Sequence, residues 1–425
     1  MGGGCREAQV RDDGALIVSP ESPAGDLDNR RRRPLEGIRV LDVSTIIAAP
    51  FAAMLLGDYG AEVIKVEHPK GGDPARTHGE QKDGVPLWWL MLGRNKKSVT
   101  LYLGVPEGQE VFKTLAKTAD VIIENFRPGT MEAWGLGYDE LRQDNPGLVM
   151  AHLSGFGRTG PMANEPGFGT MAEVMSGFAF RNGFANQPPT LPPFGLGDGV
   201  TGFALAFAVT VALQERHCSH LGQEIDLAII EPLLSILEPQ LTTLDQLGQT
   251  LQRTGNQTEM NAPRGLYQSQ SGEWIALSAS TVSTAAPLMR LLGREDLVDE
   301  SWFNSARGRR AHANEIDALI STWMGALDTG AVLAQCREAG VPVFPVYSAR
   351  EILDDPQYRE IGTIGEFEHE QLGKVRMPNV LSRFSVTPGA VQWLGPELGR
   401  HTNDVLQSLG LSPSDVDALR AKGVV

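Results

Sequence analysis

Cysteine is scarce in this chain: Cys5, Cys218 and Cys336 are scattered through 425 residues. No disulfide framework can be built from such a set, and the sparseness points to a reducing, cytoplasmic setting. Positive charge is short as well. Lys and Arg number 37 against 52 Asp and Glu, a net charge of −15, and beyond residues 30–33 (RRRR) no stretch concentrates basic groups. That excludes an electrostatic nucleic-acid surface. No apolar run approaches the roughly 18–20 residues of a membrane span; the longest, residues 203–213 (FALAFAVTVAL), reads as a core helix with no membrane role. Neither Gly-x-Gly-x-x-Gly opening a helix nor Gly-x4-Gly-Lys-Ser/Thr occurs, which removes dinucleotide and nucleoside-triphosphate readings. His217, Cys218 and His220 lie together, but at a helix end with no second ligand pair, so no metal and no tightly bound cofactor are expected. The first 33 residues lack a signal-peptide apolar region and carry Glu7, Asp12, Asp13, Glu21, Asp26 and Asp28, against a transit peptide. Met1-Gly2 begins like a myristoylation site, with Arg6 where Ser or Thr is required. Residues 1–33 read as a mobile tail.

From Pro34 onward strand and helix patterns alternate. Residues 38–43 (IRVLDV), 62–67 (EVIKVE), 97–103, 120–126 and 148–154 read as strands, and 50–59, 106–118 and 131–144 as helices. Strands alternating with helices at this spacing predict a parallel sheet with helices on both faces. The fold class is therefore α/β, a Rossmann-like large domain over residues 34–247. Residues 248–335, with a hairpin about Ser271-Gly272 and a helical stretch, form a smaller α+β domain, and 336–425 return to the large one. Ligands of such sheets bind beyond the carboxyl ends of the strands. Lys70, Arg76, Lys96, Lys97 and Arg127 stand near those ends, as candidates to meet a phosphate or as solvated surface.

Residues 192–202 (PPFGLGDGVTG) place one acid, Asp198, between two glycines just ahead of the apolar helix. Two readings are compatible. As an N-cap, Asp198 accepts a backbone N–H, worth about 1 kcal/mol. As a nucleophile, it is kept ionised by the helix dipole, while Gly197 and Gly199 leave a substrate room to approach. Glu173 and Glu231 are acids that can assist a reaction or simply be hydrogen-bonded.

Six stretches in order resemble the class III (family III) CoA-transferases, also called the CaiB/BaiF family: 34–42 (PLEGIRVLD), 56–67 (LGDYGAEVIKVE), 93–98 (GRNKKS), 124–129 (ENFRPG), 153–157 (LSGFG) and 197–202 (GDGVTG). Each is weak alone; the ordered set is specific and covers Pro34 to the C-terminus. The resemblance implies that Asp198 is the catalytic aspartate, taking an acyl group from an acyl-CoA thioester as a mixed anhydride and then carrying CoA as a thioester to a free carboxylic acid. It implies CoA contacts at Ile47, Ala48, His68, Leu101, Asn125, Phe126 and Arg127. Phe168 and Gly169 would stand over the reacting centre. It also implies an interlocked homodimer. The formyl-CoA transferases of that family have glutamine, arginine and glutamate where this chain has Ile47, His68 and Gly169, and a glycine-rich flap with no counterpart near residues 255–265. An acceptor pocket that is larger or less polar, and a poor fit for oxalate, are expected.

Two alternatives stay open. Methylacyl-CoA racemases share the fold, and their proton-shuttling histidine would fall at Phe168, which carries no titratable group. A non-catalytic CoA-thioester-binding protein would have no use for Asp198 between glycines.

Overall fold

The computed structural model describes residues 32–425. The expected tail, with Cys5 and the myristoylation-like start, lies outside the described residues apart from Arg32 and Arg33. The chain runs β1 (Arg39–Asp42), α1 (Ala48–Asp58), β2 (Glu62–Glu67), β3 (Gln81–Lys82), β4 (Val85–Pro86), α2 (Leu87–Leu92), β5 (Lys96–Thr100), α3 (Pro106–Ala116), β6 (Val121–Glu124), α4 (Thr130–Ala133), α5 (Tyr138–Asp144) and β7 (Val149–Ser154). It continues through α6 (Gly169–Met175), α7 (Phe178–Arg181), α8 (Leu196–Ser219) and β8 (Glu224–Ala228).

Six strands pair in parallel in the order β5-β2-β1-β6-β7-β8. The chain leaves the β5 edge and re-enters beside β1, so the winding direction reverses between β1 and β6. The loops that follow these two strands consequently diverge and open a crevice, the usual ligand site of such sheets. The central strands are buried on both sides: Val40, Leu41, Val121, Ile122 and Ile123 are fully buried. One apolar layer packs Leu41 and Ile122 with Phe112 and Leu115 of α3; the other packs Val40 and Ile123 with Ala52 of α1 and Leu205 and Val209 of α8. Each such side chain contributes about 1.5–3 kcal/mol on burial.

The described residues fall into two compact units, the first of residues 32–172, 194–235 and 362–425, the second of 173–193 and 236–361. The divisions thus fall at 235/236 and 361/362, with an excursion at 173–193, beside the 247/248 and 335/336 divisions expected from composition. The second unit holds an antiparallel sheet of β9 (Arg264–Gln268), β10 (Trp274–Ser278) and β11 (Val343–Pro345). Its β9–β10 hairpin turns at Gly272, φ +86°, as the Ser-Gly pair predicts.

Three local expectations are corrected. The helix expected over 131–144 is two helices, because Gly135 at φ +66° stops the first. Residues 231–247, whose sequence pattern predicts one long helix, are likewise divided into Ile230–Ser235 and Gln240–Leu247, with Glu238 at φ +55° and Pro239 between. The apolar helix α8 spans 24 residues, extending beyond the apolar run 203–213 at both ends and beginning before Asp198, which the sequence pattern places at or beside its N-cap. By length and composition it would suffice to cross a membrane, and less than half of its most apolar window is buried. Leu205, Val209 and Ala212 face the core, whereas Phe203, Phe207 and Val211, spaced four apart, are 47%, 70% and 51% exposed.

A buried ionic cluster ties the sheet together. Asp42 ends β1, Lys65 lies beside it on β2 and Lys96 begins β5, all fully buried. Lys96 Nζ lies 2.8 Å from Asp42 Oδ2 and donates to Pro50 O at 2.7 Å. Lys65 Nζ lies 3.3 Å from Asp42 Oδ1 and 3.0 Å from Asp73 Oδ2, and also donates to Ser44 O. Burial alone would raise the Asp42 pKa, but the Lys65 and Lys96 charges outweigh it and hold the carboxyl at about 2. A depressed carboxyl stabilises the fold above its unfolded pKa near 4 and loses that contribution as pH falls toward 2, here about 2 kcal/mol. Asp42→Asn, which leaves two buried ammonium groups facing a neutral amide, should cost about 3–5 kcal/mol at neutral pH. It should also flatten the loss of stability between about pH 4 and 2. Denaturant unfolding across that range checks both, and an unaltered acid slope in the variant would place the titration on another group.

Candidate active site

The crevice between β1 and β6 is lined by loops from four strand ends. A cavity of about 330 Å³ is bounded by Thr45, Ile46, Ile47 and Ala48 after β1, Asn125 to Pro128 after β6, Leu153 to Gly155 at the end of β7, and Ile229 after β8. Ala163, Glu165 to Phe168 and Asp198 complete it. A second cavity of about 130 Å³ includes His68, Leu101, Tyr102, Phe126 and Trp134. The two share Thr45 and Phe126.

The loop after β1 is fixed from its neighbour. Asn125 Oδ1 accepts from Thr45 N at 2.8 Å while its Nδ2 donates to Thr45 O at 2.9 Å. Phe126 N in turn donates to Glu124 Oε2 at 2.6 Å, and the other oxygen of Glu124 lies 2.5 Å from Nδ1 of the buried His152. The Phe126 ring meets Trp134 edge-on at 5.2 Å, and His68 meets Tyr102 at 4.7 Å, so aromatic edges form much of the smaller cavity.

Asp198 sits in the first turn of α8, half-buried. Gly195 takes the N-cap, and no side chain makes a cap hydrogen bond, so the expectation of Asp198 at or beside the N-cap is corrected. At the third helical position a carboxylate still benefits from the helix dipole. The glycines that seat it also differ from those expected. A Cβ on Gly169 would overlap Asp198 Oδ2 and come within 2.6 Å of Cγ, and one on Gly195 would lie 3.0 Å from Oδ2. Gly197 instead packs on Gly169 O, while Gly199 faces open space. The loop carrying Gly167 is brought in the same way: Gly155 and Gly167 meet back to back, a Cβ on either falling within 2.8 Å of the other's Cα.

Of the residues singled out from sequence, Ile47, Ala48, Asn125, Phe126, Arg127, Phe168 and Asp198 border the larger cavity, and His68, Leu101 and Phe126 the smaller. Gly169 forms the seat beneath Asp198. The basic candidates separate. Lys96 is fully buried on Asp42, and Arg76 is bound to Glu67 at 2.7 Å and stacked over Trp89 at 3.9 Å, so neither meets a phosphate. Arg127 is exposed and is the one cation among the described residues bordering the larger cavity. Thr45, Ile229 and Glu165 were not singled out. The first two follow strand ends, where the general rule for parallel sheets would have found them; nothing in the sequence marks Glu165.

A carboxylate in a half-enclosed cavity, with backbone approaching closely through glycines, is suited to nucleophilic attack on an acyl carbon. Comparison with known proteins gives the family of the chain. The family model described as CoA-transferase family III matches residues 35–402. The chain is 39% identical over 398 residues to succinyl-CoA--D-citramalate CoA-transferase of Chloroflexus aurantiacus, covering 93% of this chain and 99% of that one. It is 30% identical to succinyl-CoA:glutarate CoA-transferase of Homo sapiens, covering 95% and 92%. Among solved structures, a CAIB/BAIF family protein from Brucella suis superposes with a TM-score of 0.77 at 28% identity, over 89% of this chain and 100% of that one.

Gly169→Ala tests the seat. The variant should fold, with the Asp198 side chain forced into a different rotamer in its crystal structure. An unmoved carboxylate would show that the glycine is dispensable there.

Proposed function

The chain belongs to CoA-transferase family III, and from that premise we propose that it carries CoA from a succinyl-CoA-type donor to a free dicarboxylic acid through covalent intermediates on Asp198. The observation that carries the reading is the placement of Asp198: a half-buried carboxylate on a glycine seat, bordering the cavity that also includes Ile47, Ala48, Asn125, Phe126 and Arg127. Relatives named for succinyl-CoA with citramalate or glutarate support the substrate class.

Each step conserves the activated acyl group. The Asp198 carboxylate attacks the thioester carbonyl and CoA leaves as thiolate, giving an acyl–aspartyl anhydride. The thiolate attacks the aspartyl carbonyl, the donor acid leaves, and an aspartyl–CoA thioester remains. The acceptor carboxylate then displaces the thiolate to form a second anhydride. Finally the thiolate takes the acceptor acyl group and frees Asp198. A carboxylate nucleophile suits this sequence because its anhydride and thioester are close in energy to the substrate's own thioester. In this reading, backbone N–H groups of the loop carrying Gly167 and Phe168, which borders the cavity, stabilise the developing oxyanions. Arg127 offers a charge to the CoA phosphates or to the distal carboxylate of the acid. The racemase alternative needs a proton carrier at Phe168, and that phenyl ring, 68% exposed, supplies none.

A homodimer completes the proposal. The apolar face of α8 formed by Phe203, Phe207 and Val211 is too exposed for a chain on its own, and a second copy would cover it. Phe207→Glu should move the sedimentation coefficient toward that of a single chain; an unchanged value would take α8 out of the interface.

The covalent mechanism is tested by intact-mass analysis after mixing the enzyme with succinyl-CoA and other acyl-CoAs, hydroxylamine or borohydride trapping the activated acid. A CoA adduct or trapped derivative on Asp198 is the expected outcome. Asp198→Ala should keep CoA binding and lose transfer by about three orders of magnitude or more. Transfer retained in that variant would sink the mechanism. Asp198→Asn is a poorer probe, since deamidation restores the acid.

A further inference from the structure

Ile46 lies in the wall of the larger cavity with φ +72°. The other non-glycine residues with positive φ among those described are Asp83, Asn95, His220, Glu238 and Ser382. None of these is β-branched, and a β-branched side chain is the least tolerant of this backbone region. A loop under no constraint would use glycine here. The conformation therefore has to be imposed by something outside the loop.

The imposing contact comes from the loop after β2. Asp73 is 2% exposed and is the N-cap of the 3-10 turn Pro74–Thr77, its Oδ1 accepting from Ala75 N at 2.9 Å. A cap needs no more than that. The same oxygen also accepts from Ile46 N at 3.0 Å, across a sequence separation of 27 residues. Asp73 is itself immobilised: Oδ2 lies 3.0 Å from Lys65 Nζ, and its backbone N–H donates to Glu67 Oε2 at 3.0 Å. The Glu67 carboxylate is gripped by Arg76 through both oxygens, at 2.7 and 2.8 Å, and by Ser98 Oγ at 2.7 Å. Thus Thr45 is held by Asn125 after β6, and its neighbour Ile46 is held by Asp73 after β2.

We propose that Asp73 is a positioning residue for acyl transfer, hooking the Ile46 peptide into its left-handed conformation so that residues 45–48 form a fixed wall opposite Asp198. The proposal rests on the acyl-transfer reading given above. Strain held at a functional site by surrounding structure, in place of a residue that would relieve it, is the expected mark of a preorganised wall. Asp73 touches no reacting atom; it acts through Ile46.

The test uses the full chain. Asp73→Ser retains a hydroxyl able to cap Ala75 N but is too short to reach Ile46 or Lys65, whereas Asp73→Asn keeps an oxygen for both N–H groups. Asp73→Ser should lower kcat/KM for succinyl-CoA by about tenfold or more and speed amide exchange in residues 44–49. Asp73→Asn should recover most of both. In the Asp73→Ser background, Ile46→Gly, free to adopt positive φ, should exceed Ile46→Ala in kcat/KM by about fivefold. Ser and wild type alike in kcat/KM, or Gly no better than Ala, would overturn the proposal. So would loss of transfer in a folded Asp73→Asn protein, which would assign Asp73 to charge balance with Lys65 and does not depend on whether the serine variant folds. Absence of transfer in the wild-type chain would overturn the acyl-transfer premise and the proposal with it; failure of the hook alone shows with the wild type active.

Discussion

The ion cluster around Asp42 is the constraint on which the site depends. Two lysines and two aspartates withdrawn from water cost several kcal/mol each to desolvate, and their mutual neutralisation leaves little net gain in stability. What they provide is geometry. Asp42 ends β1 with Lys65 beside it within β2, Lys96 reaches from β5 to the first turn of α1 through Pro50 O, and Lys65 reaches into the loop after β1 through Ser44 O. An apolar core would hold the strands at least as firmly, yet it would leave the backbone beyond them unsatisfied. Charged side chains end in hydrogen-bonding groups, so they can bind the sheet and its loops in one contact.

Glycine plays the complementary part around Asp198. The hydrogen bonds above fix what must stay in place, and the absence of side chains decides how near the pieces come. Gly155 against Gly167 brings the loop to the end of β7, and Gly169 lets the first turn of α8 deliver a carboxylate where any larger residue would stand. The acid lies at a helix start, half-exposed, with the dipole favouring its ionised form. That combination suits a nucleophile that must be anionic and within reach of its substrate.

Much of this architecture was legible in the sequence because parallel strands buried on both faces read as short apolar runs. β2 was legible to its exact ends, and the other sheet strands to within a few residues. What was illegible had specific causes. Residues 68–85, rich in Gly, Pro and Asp, read as a loop from composition and hide the hairpin β3–β4, although Asp83-Gly84 carries its turn signal at φ +53° and +80°. Gly135 and Pro239 broke helices that periodicity alone made continuous. At the site, the motif order identified Asp198 and the residues now found bordering the two cavities. Lys96 and Arg76, read as phosphate contacts or solvated surface, are neither, because sequence shows a charge but not its partner. Ile46 and Asp73 could not have been linked, since nothing local marks an isoleucine as left-handed.

The glycine at 169 also changes how the departures from the formyl-CoA transferase pattern are understood. Replacing glutamate by glycine there suggests, from sequence, that the acceptor pocket gains the volume of the missing side chain. The structure gives that space to Asp198 itself, whose carboxylate occupies the position where a Cβ would project. A chain with a side chain at this position must hold its catalytic acid in another rotamer, so the two residues are coupled and cannot be compared singly. If the proposed reaction holds, acceptor preference follows less from the size of the pocket than from where the acid stands and from Arg127, the one cation among the described residues bordering the same cavity. In the proposed reaction, a single cation bordering the same cavity as the Asp198 carboxylate matches an acceptor with one carboxylate to react and a second to be recognised.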